Sequence, residues 1–169
     1  MVKKLKIISR SAKETKYLAT NLAKLLSPEA ENKQATIIGL EGELGGGKTT
    51  FVQGLARGLA IKSKILSPTF VIMRNFPIKG ASHFRRFYHF DAYRICASKE
   101  INNLGFREII SNSNNMVVIE WANIIKKFMP QDSLWVNFQF KNFHSRIITI
   151  SLPSVRIFRD VYERLKVIK

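Results

Sequence analysis

At 169 residues, 46% of them hydrophobic and 24% charged, the chain is long enough to bury a core without covalent staples, and it reads as one domain over residues 1–169. Its single cysteine, Cys96, excludes an internal disulfide and a cysteine-built zinc site, and no apolar run reaches bilayer length, so no membrane partner is expected. The 28 Lys and Arg against 12 Asp and Glu, a net charge of +16, suit contact with RNA, DNA or an acidic protein face. These basic residues are scattered, however, and residue usage shaped by an AT-rich genome would give the same excess; both readings stay open.

The N-terminus has Lys3, Lys4 and Lys6 but then only Ile7 and Ile8 before polar residues. That is too short for the apolar core of a signal peptide, so a cytoplasmic location is expected. Lys4 to Ser9 reads as a strand. Ser11 and Glu14 have capping-box spacing and open a helix whose Leu18, Leu22, Leu25 and Leu26 share one face, with Ser27-Pro28 ending it. Ala35 to Leu40 suits a strand buried on both faces, and Thr50 to Leu59 carries helical spacing. Thr69 to Phe76 and His83 to Phe90 read as extended, joined by a turn around Pro77 to Gly80. Ser98 to Ile110 is a helical stretch interrupted at Gly105, Met116 to Ile119 a buried strand, and Ile124 to Phe128 a short helix ending at Pro130. Leu134 to Phe140 and Arg146 to Leu152 form a hairpin across Lys141 to Ser145. Val155 to Ile168 is an amphipathic helix, so residues 153–169 read as a C-terminal helical extension. The order predicts an α/β sandwich around a mixed sheet, with buried parallel strands and antiparallel pairs.

Between the strand at Ala35 and the helix at Thr50, Gly42-Glu43-Leu44-Gly45-Gly46-Gly47-Lys48-Thr49 fits G-x-x-x-x-G-K-[ST], followed by Thr50. Glycines let the backbone wrap so that successive N–H groups point at phosphate oxygens, and the helix adds its positive N-terminal end. Lys48 would bridge the terminal phosphates of a nucleoside triphosphate, and the Thr49 hydroxyl would hold Mg²⁺. Chance would produce the pattern in roughly one chain of this length in two hundred.

Such a loop needs carboxylates near the metal and the attacking water. Met116-Val117-Val118-Ile119-Glu120 delivers an acid at the end of a buried strand, beside the loop. Asp91, in His89-Phe90-Asp91-Ala92-Tyr93-Arg94, ends another extended segment. Taken alone, Glu120 is as well read as a strand-end surface acid, and Asp91 is better read as one. His89 reads first as a partly buried, hydrogen-bonded ring rather than a catalyst. His83 and His144 lack an acidic or cysteine neighbour at ligand spacing. Arg94 fits a phosphate contact or a surface ion pair equally.

Together these pieces resemble one family. The loop, Leu66-Ser67-Pro68-Thr69-Phe70, His89-Phe90-Asp91-Ala92-Tyr93-Arg94 and Glu120-Trp121 occur in the order and spacing found in TsaE proteins, formerly YjeE, and Leu104-Gly105-Phe106 with Glu108 is similar as well. The resemblance covers roughly residues 10 to 135. It implies a P-loop NTPase fold and a small bacterial ATPase, using ATP and Mg²⁺, that serves threonylcarbamoyladenosine formation in tRNAs reading codons that begin with A. The implied partners are TsaD, which holds the transferase chemistry, and TsaB, with tRNA reached through that complex. By position, Glu43 to Thr50 match the nucleotide-binding loop. Thr49 and Glu120 match the metal-binding pair, and Lys48, Asp91 and Glu120 the residues needed for activity. Ser67 to Phe70 match a mobile segment near the nucleotide, and Trp121 a functionally sensitive aromatic. Gly46 stands where the family usually has Ala, Glu43 where Asp is commoner, and Ala122-Asn123 where an acid often follows. The tail from Pro153 to Lys169 matches no family motif.

Other functions using the same loop fit less well. A small-molecule kinase needs an arginine-bearing lid, for which only Arg85 and Arg86 offer themselves, inside a strand-like segment. A GTPase needs N-K-x-D, whereas Asn32-Lys33-Gln34-Ala35 lacks the acid and precedes the loop. A basic RNA-binding module would leave the loop without a purpose. For contact with adenine, the late hairpin offers Arg146 and His144.

Overall fold

The computed structural model describes residues 2–27, 33–80, 82–96, 98–142, 144–153 and 156–167. Seven strands form one sheet: β1 (Lys3–Ser9), β2 (Thr36–Gly42), β3 (Met73–Pro77), β4 (Arg86–Asp91), β5 (Asn115–Glu120), β6 (Leu134–Phe140) and β7 (Arg146–Leu152), in the spatial order β1-β7-β6-β2-β5-β4-β3. The central strands β6, β2, β5 and β4 run parallel, while β7, β1 and β3 pair antiparallel at the margins. This is the mixed sheet, with parallel core and antiparallel edges, that the sequence predicts.

Alternation along the central strands builds two cores. Ile38 and Leu40 of β2, with Met116 and Val118 of β5, face α1 (Ala12–Leu26), α2 (Lys48–Gly58) and the helix Arg156–Val167. Ile37, Val117 and Ile119 face the other way, toward Phe90, Ile101, Phe106 and Ile125. A strand apolar on both faces belongs inside a covered parallel sheet, and this fixes where the carboxyl ends of β2 and β5 emerge together.

The start of α1 has the expected cap. The Ser11 hydroxyl accepts from the Glu14 amide at 3.1 Å, and the Glu14 carboxylate accepts from the Arg10 amide at 2.7 Å. Helices α1 and α2 pack closely because Gly54 and Gly58 face α1. A Cβ on Gly54 would lie 2.5 Å from the Lys16 carbonyl oxygen, and the Thr20 hydroxyl instead donates to the Gly54 carbonyl at 3.0 Å. Gly105, at φ +66°, divides α3 (Ser98–Asn103) from α4 (Phe106–Ser111). Pro28, Val155 and Ile168, which the sequence reading placed at helix ends, lie outside the described residues.

Two expectations are corrected. Residues 69–72 are not strand: the amides of Val71 and Ile72 both bond the Pro68 carbonyl, which curls the chain into a turn, and Ile72 takes φ +63°. A β-branched residue in that region is strained, so hydrogen bonding has overridden β propensity and β3 begins only at Met73. The segment Ala122–Phe128 is a 3-10 helix with a kink at Ile125 rather than a regular helix.

Candidate functional site

Residues 42–50 leave the carboxyl end of β2 and turn directly into α2. Gly42, Gly45 and Gly47 take φ of +136°, +75° and +103°, conformations that a side chain resists. Gly46 is confined differently: a Cβ there would sit 2.9 Å from the Glu43 carbonyl oxygen, so glycine suits the loop as it lies. Gly47 caps α2 without a side-chain bond, and no acid lies in the first helical turn. The N-terminal amides of the helix, with their partial positive charge, are therefore left for an anion.

The Lys48 ammonium group folds back onto the loop, donating to the carbonyls of Gly42 at 2.7 Å and Glu43 at 2.8 Å, and lies 3.8 Å from the ring centre of Trp121. Trp121 follows β5 in a left-handed conformation, φ +59°, which turns the chain out of the sheet immediately after Glu120. Burial lowers the Lys48 pKa, opposed by the nearby carboxylates of Glu120 and Asp91.

Glu120 ends β5 in register with Leu40 of β2 on one side and Asp91 of β4 on the other. Its carboxylate accepts the Thr49 hydroxyl at 2.9 and 3.0 Å, and the His89 Nε2 lies 2.9 Å from Oε1. Asp91 is equally enclosed. Its Oδ2 accepts the hydroxyls of Ser67 and Thr69, and its Oδ1 accepts the Tyr93 amide at 3.0 Å. The three hydroxyl and carboxylate residues expected from sequence thus share one cleft of about 430 Å³ with Gly45 to Thr50 and Trp121. Glu43 contributes its carbonyl, while Leu44 projects from the rim at 82% exposure.

This site suits a polyphosphate and a hard cation. Among the described residues no cluster of three His, Cys, Asp or Glu side chains could hold a metal. A single hydroxyl–carboxylate pair fits Mg²⁺, which keeps several waters and takes few protein ligands when it also binds phosphate.

Other expected residues fall elsewhere. Arg86 opens β4 at the end opposite Asp91, roughly 17 Å away at strand spacing, and donates to Asn75; Arg85 donates to the Ser82 carbonyl. Neither reaches the cleft, so they form no lid over it. Arg94 lies 4.6 Å from the ring centre of Phe70, outside the cleft lining. His89 is a hydrogen-bonded ring as expected, but fully rather than partly buried, and its partner is Glu120. Two-residue alternation along parallel strands, His89 to Asp91 beside Val118 to Glu120, was the signal that could have suggested it.

The family model described as "Threonylcarbamoyl adenosine biosynthesis protein TsaE" matches residues 9–148. The chain is 35% identical, over 83% of its length and 74% of theirs, to the tRNA threonylcarbamoyladenosine biosynthesis protein TsaE of Rickettsia conorii. To the protein of that name from Treponema pallidum it is 30% identical over 87% of this chain and 100% of the other. To that from Bacillus subtilis it is 32% identical over 89% and 87%. The crystal structure of YdiB from Bacillus subtilis aligns with a TM-score of 0.74 and 28% identity, covering 98% of this chain and 95% of that one. A match across most of the chain, in sequence and in fold, places this protein in the TsaE family.

Proposed function

We propose that this protein is a Mg²⁺-dependent ATPase that serves the threonylcarbamoyladenosine modification of tRNAs reading codons that begin with A, acting with TsaD and TsaB. The observation that carries the proposal is the convergence of Lys48, Thr49, Glu120 and Asp91 on one glycine-walled cleft at the carboxyl ends of β2, β4 and β5. In this reading the loop amides and Lys48 bind the phosphates, with the ammonium exchanging its carbonyl acceptors for phosphate oxygens. Thr49 and Glu120 would hold Mg²⁺, which when bound neutralises charge on the terminal phosphates. His89 keeps the Glu120 carboxylate in place as the Thr49 hydroxyl turns to the metal. Asp91 acts through Ser67 and Thr69, holding the segment at the mouth of the cleft.

Dependence on partners follows from what surrounds the cleft. Among the described residues no arginine is part of the cleft lining, although Arg146 lies against the loop at Gly47, and Leu44, Phe70 and Tyr93 stand exposed at or beside the rim. A partner surface covering that rim would exclude water and add positive charge beside the terminal phosphate. Among the described residues no helix is long and apolar enough to cross a membrane.

The test is ATP turnover and tRNA modification in a purified system. The chain alone should turn over ATP weakly, and adding TsaB and TsaD should raise the rate and yield modified tRNA. An unchanged rate at saturating Mg-ATP, or modification that proceeds equally well without this chain, would count against the proposal.

A further inference from the structure

Arg146 opens β7, paired with Phe140 of β6 on one side and Ser9 of β1 on the other. Its guanidinium lies against the phosphate loop: a Cβ on Gly47 would stand 2.7 Å from Nη1 and 3.7 Å from Cζ. Gly47 directly precedes Lys48 and begins α2. Two side-chain cations and the positive end of a helix are therefore gathered within a few residues.

Glu120 and Asp91 offset the charge at Lys48, but no carboxylate among the described residues pairs with Arg146. The Lys or Arg ion pair among the described residues is Lys3–Glu163, which does not involve Arg146, and the buried Arg146 Nε has no acceptor. A guanidinium beside a helix N-terminus is unfavourable, and a buried donor left unpaired adds to the cost. An anion bound in the loop removes the repulsion.

Sheet order says which part of the anion is involved. β7 lies on the opposite side of β2 from β5 and β4, so Arg146 approaches the loop from one flank while Glu120 and Asp91 approach from the other. A triphosphate whose terminal end faces the Thr49–Glu120 pair directs its other end toward Arg146. We propose that Arg146 is a nucleotide-binding residue that holds the phosphate nearest the nucleoside. This rests on the nucleotide reading of the loop, and it gives Arg146 a phosphate partner in place of the adenine contact considered from sequence.

Calorimetric titration of the full chain with ATP and with inorganic tripolyphosphate separates the cases. Arg146→Gln should weaken both ligands by a similar factor, roughly ten- to a hundred-fold, as expected for a lost charge-assisted contact. Arg146→Lys, which keeps the charge but not the planar fork, should fall between, and it carries the test if the glutamine variant folds poorly. Weakening of ATP alone would assign Arg146 to the base or ribose and overturn the proposal, as would unchanged binding of both ligands. Wild-type protein that binds neither would overturn the nucleotide reading itself, and this inference with it.

Discussion

The imidazole of His89 and the carboxylate of Glu120 meet at 2.9 Å across two neighbouring parallel strands, with both residues withdrawn from solvent. His89 stands opposite Val118, two residues short of Glu120, on the same face of the sheet. One carboxylate oxygen is thus tied to a fully buried ring, whatever the Thr49 hydroxyl does. Partners of this kind that orient a metal-binding group typically matter by about 10- to 100-fold. Replacing His89 with Ala should lower ATP turnover by at least about ten-fold while weakening nucleotide binding much less, whereas His89→Gln, which keeps a donor, should retain more of the rate. Equal turnover in wild type and His89→Ala, measured at saturating Mg-ATP, would show that Glu120 needs no such anchor.

Lys48 gives a pH dependence of defined sign. Burial sets its folded pKa below the ordinary value of 10.5, with Glu120 and Asp91 only partly opposing the shift. Between the lowered value and the ordinary one, the unfolded chain binds more protons than the folded one, so stability contributed by this group rises with pH in that window. Below the window both states carry the charge and the contribution is flat. Urea unfolding across the alkaline range should show a steeper rise for wild type than for Lys48→Ala. Identical slopes would mean that the ammonium group is not desolvated.

Asp91 accepts two hydroxyls from one short segment, and this predicts a local effect. Asp91→Ala should free Ser67 and Thr69 and increase hydrogen exchange at the amides of Val71 and Ile72, whose acceptor is the Pro68 carbonyl. Turnover should slow more than nucleotide affinity falls. Exchange unchanged in this segment would remove Asp91 from its ordering.

Gly54 tests the packing beneath the loop. An added methyl group would press on the Lys16 carbonyl and the Ala19 side chain, at 2.5 and 2.6 Å. Overpacking against backbone costs about 1–3 kcal/mol, so Gly54→Ala should lower the unfolding midpoint in urea by a matching amount. A midpoint at or above that of wild type would show that α1 and α2 part easily.

Much of this was readable from the chain because local and global signals agree. The run Ala35 to Leu40 ahead of the loop, and Met116 to Ile119 before Glu120, suit strands covered on both faces, and all of these residues are buried. The loop glycines and the Ser11 cap are likewise local devices. The segment 69–72 misled because the Val71 and Ile72 amides donate to the Pro68 carbonyl and the Thr69 hydroxyl donates to the distant Asp91 carboxylate, bonds that β propensity does not register. His89 acquires meaning only beside Glu120 of the neighbouring strand, and Arg146 only against Gly47 of the loop, contacts that no spacing within one segment encodes.

The central claim is that residues 42–50 bind a nucleoside triphosphate with its metal. Titrating Mg-ATP into wild type and into Lys48→Ala by calorimetry tests it most directly. Saturable heat with the wild type, abolished or reduced at least about ten-fold in affinity by the substitution, is the expected result. No heat with the wild type, or equal affinity in the two proteins, would contradict it.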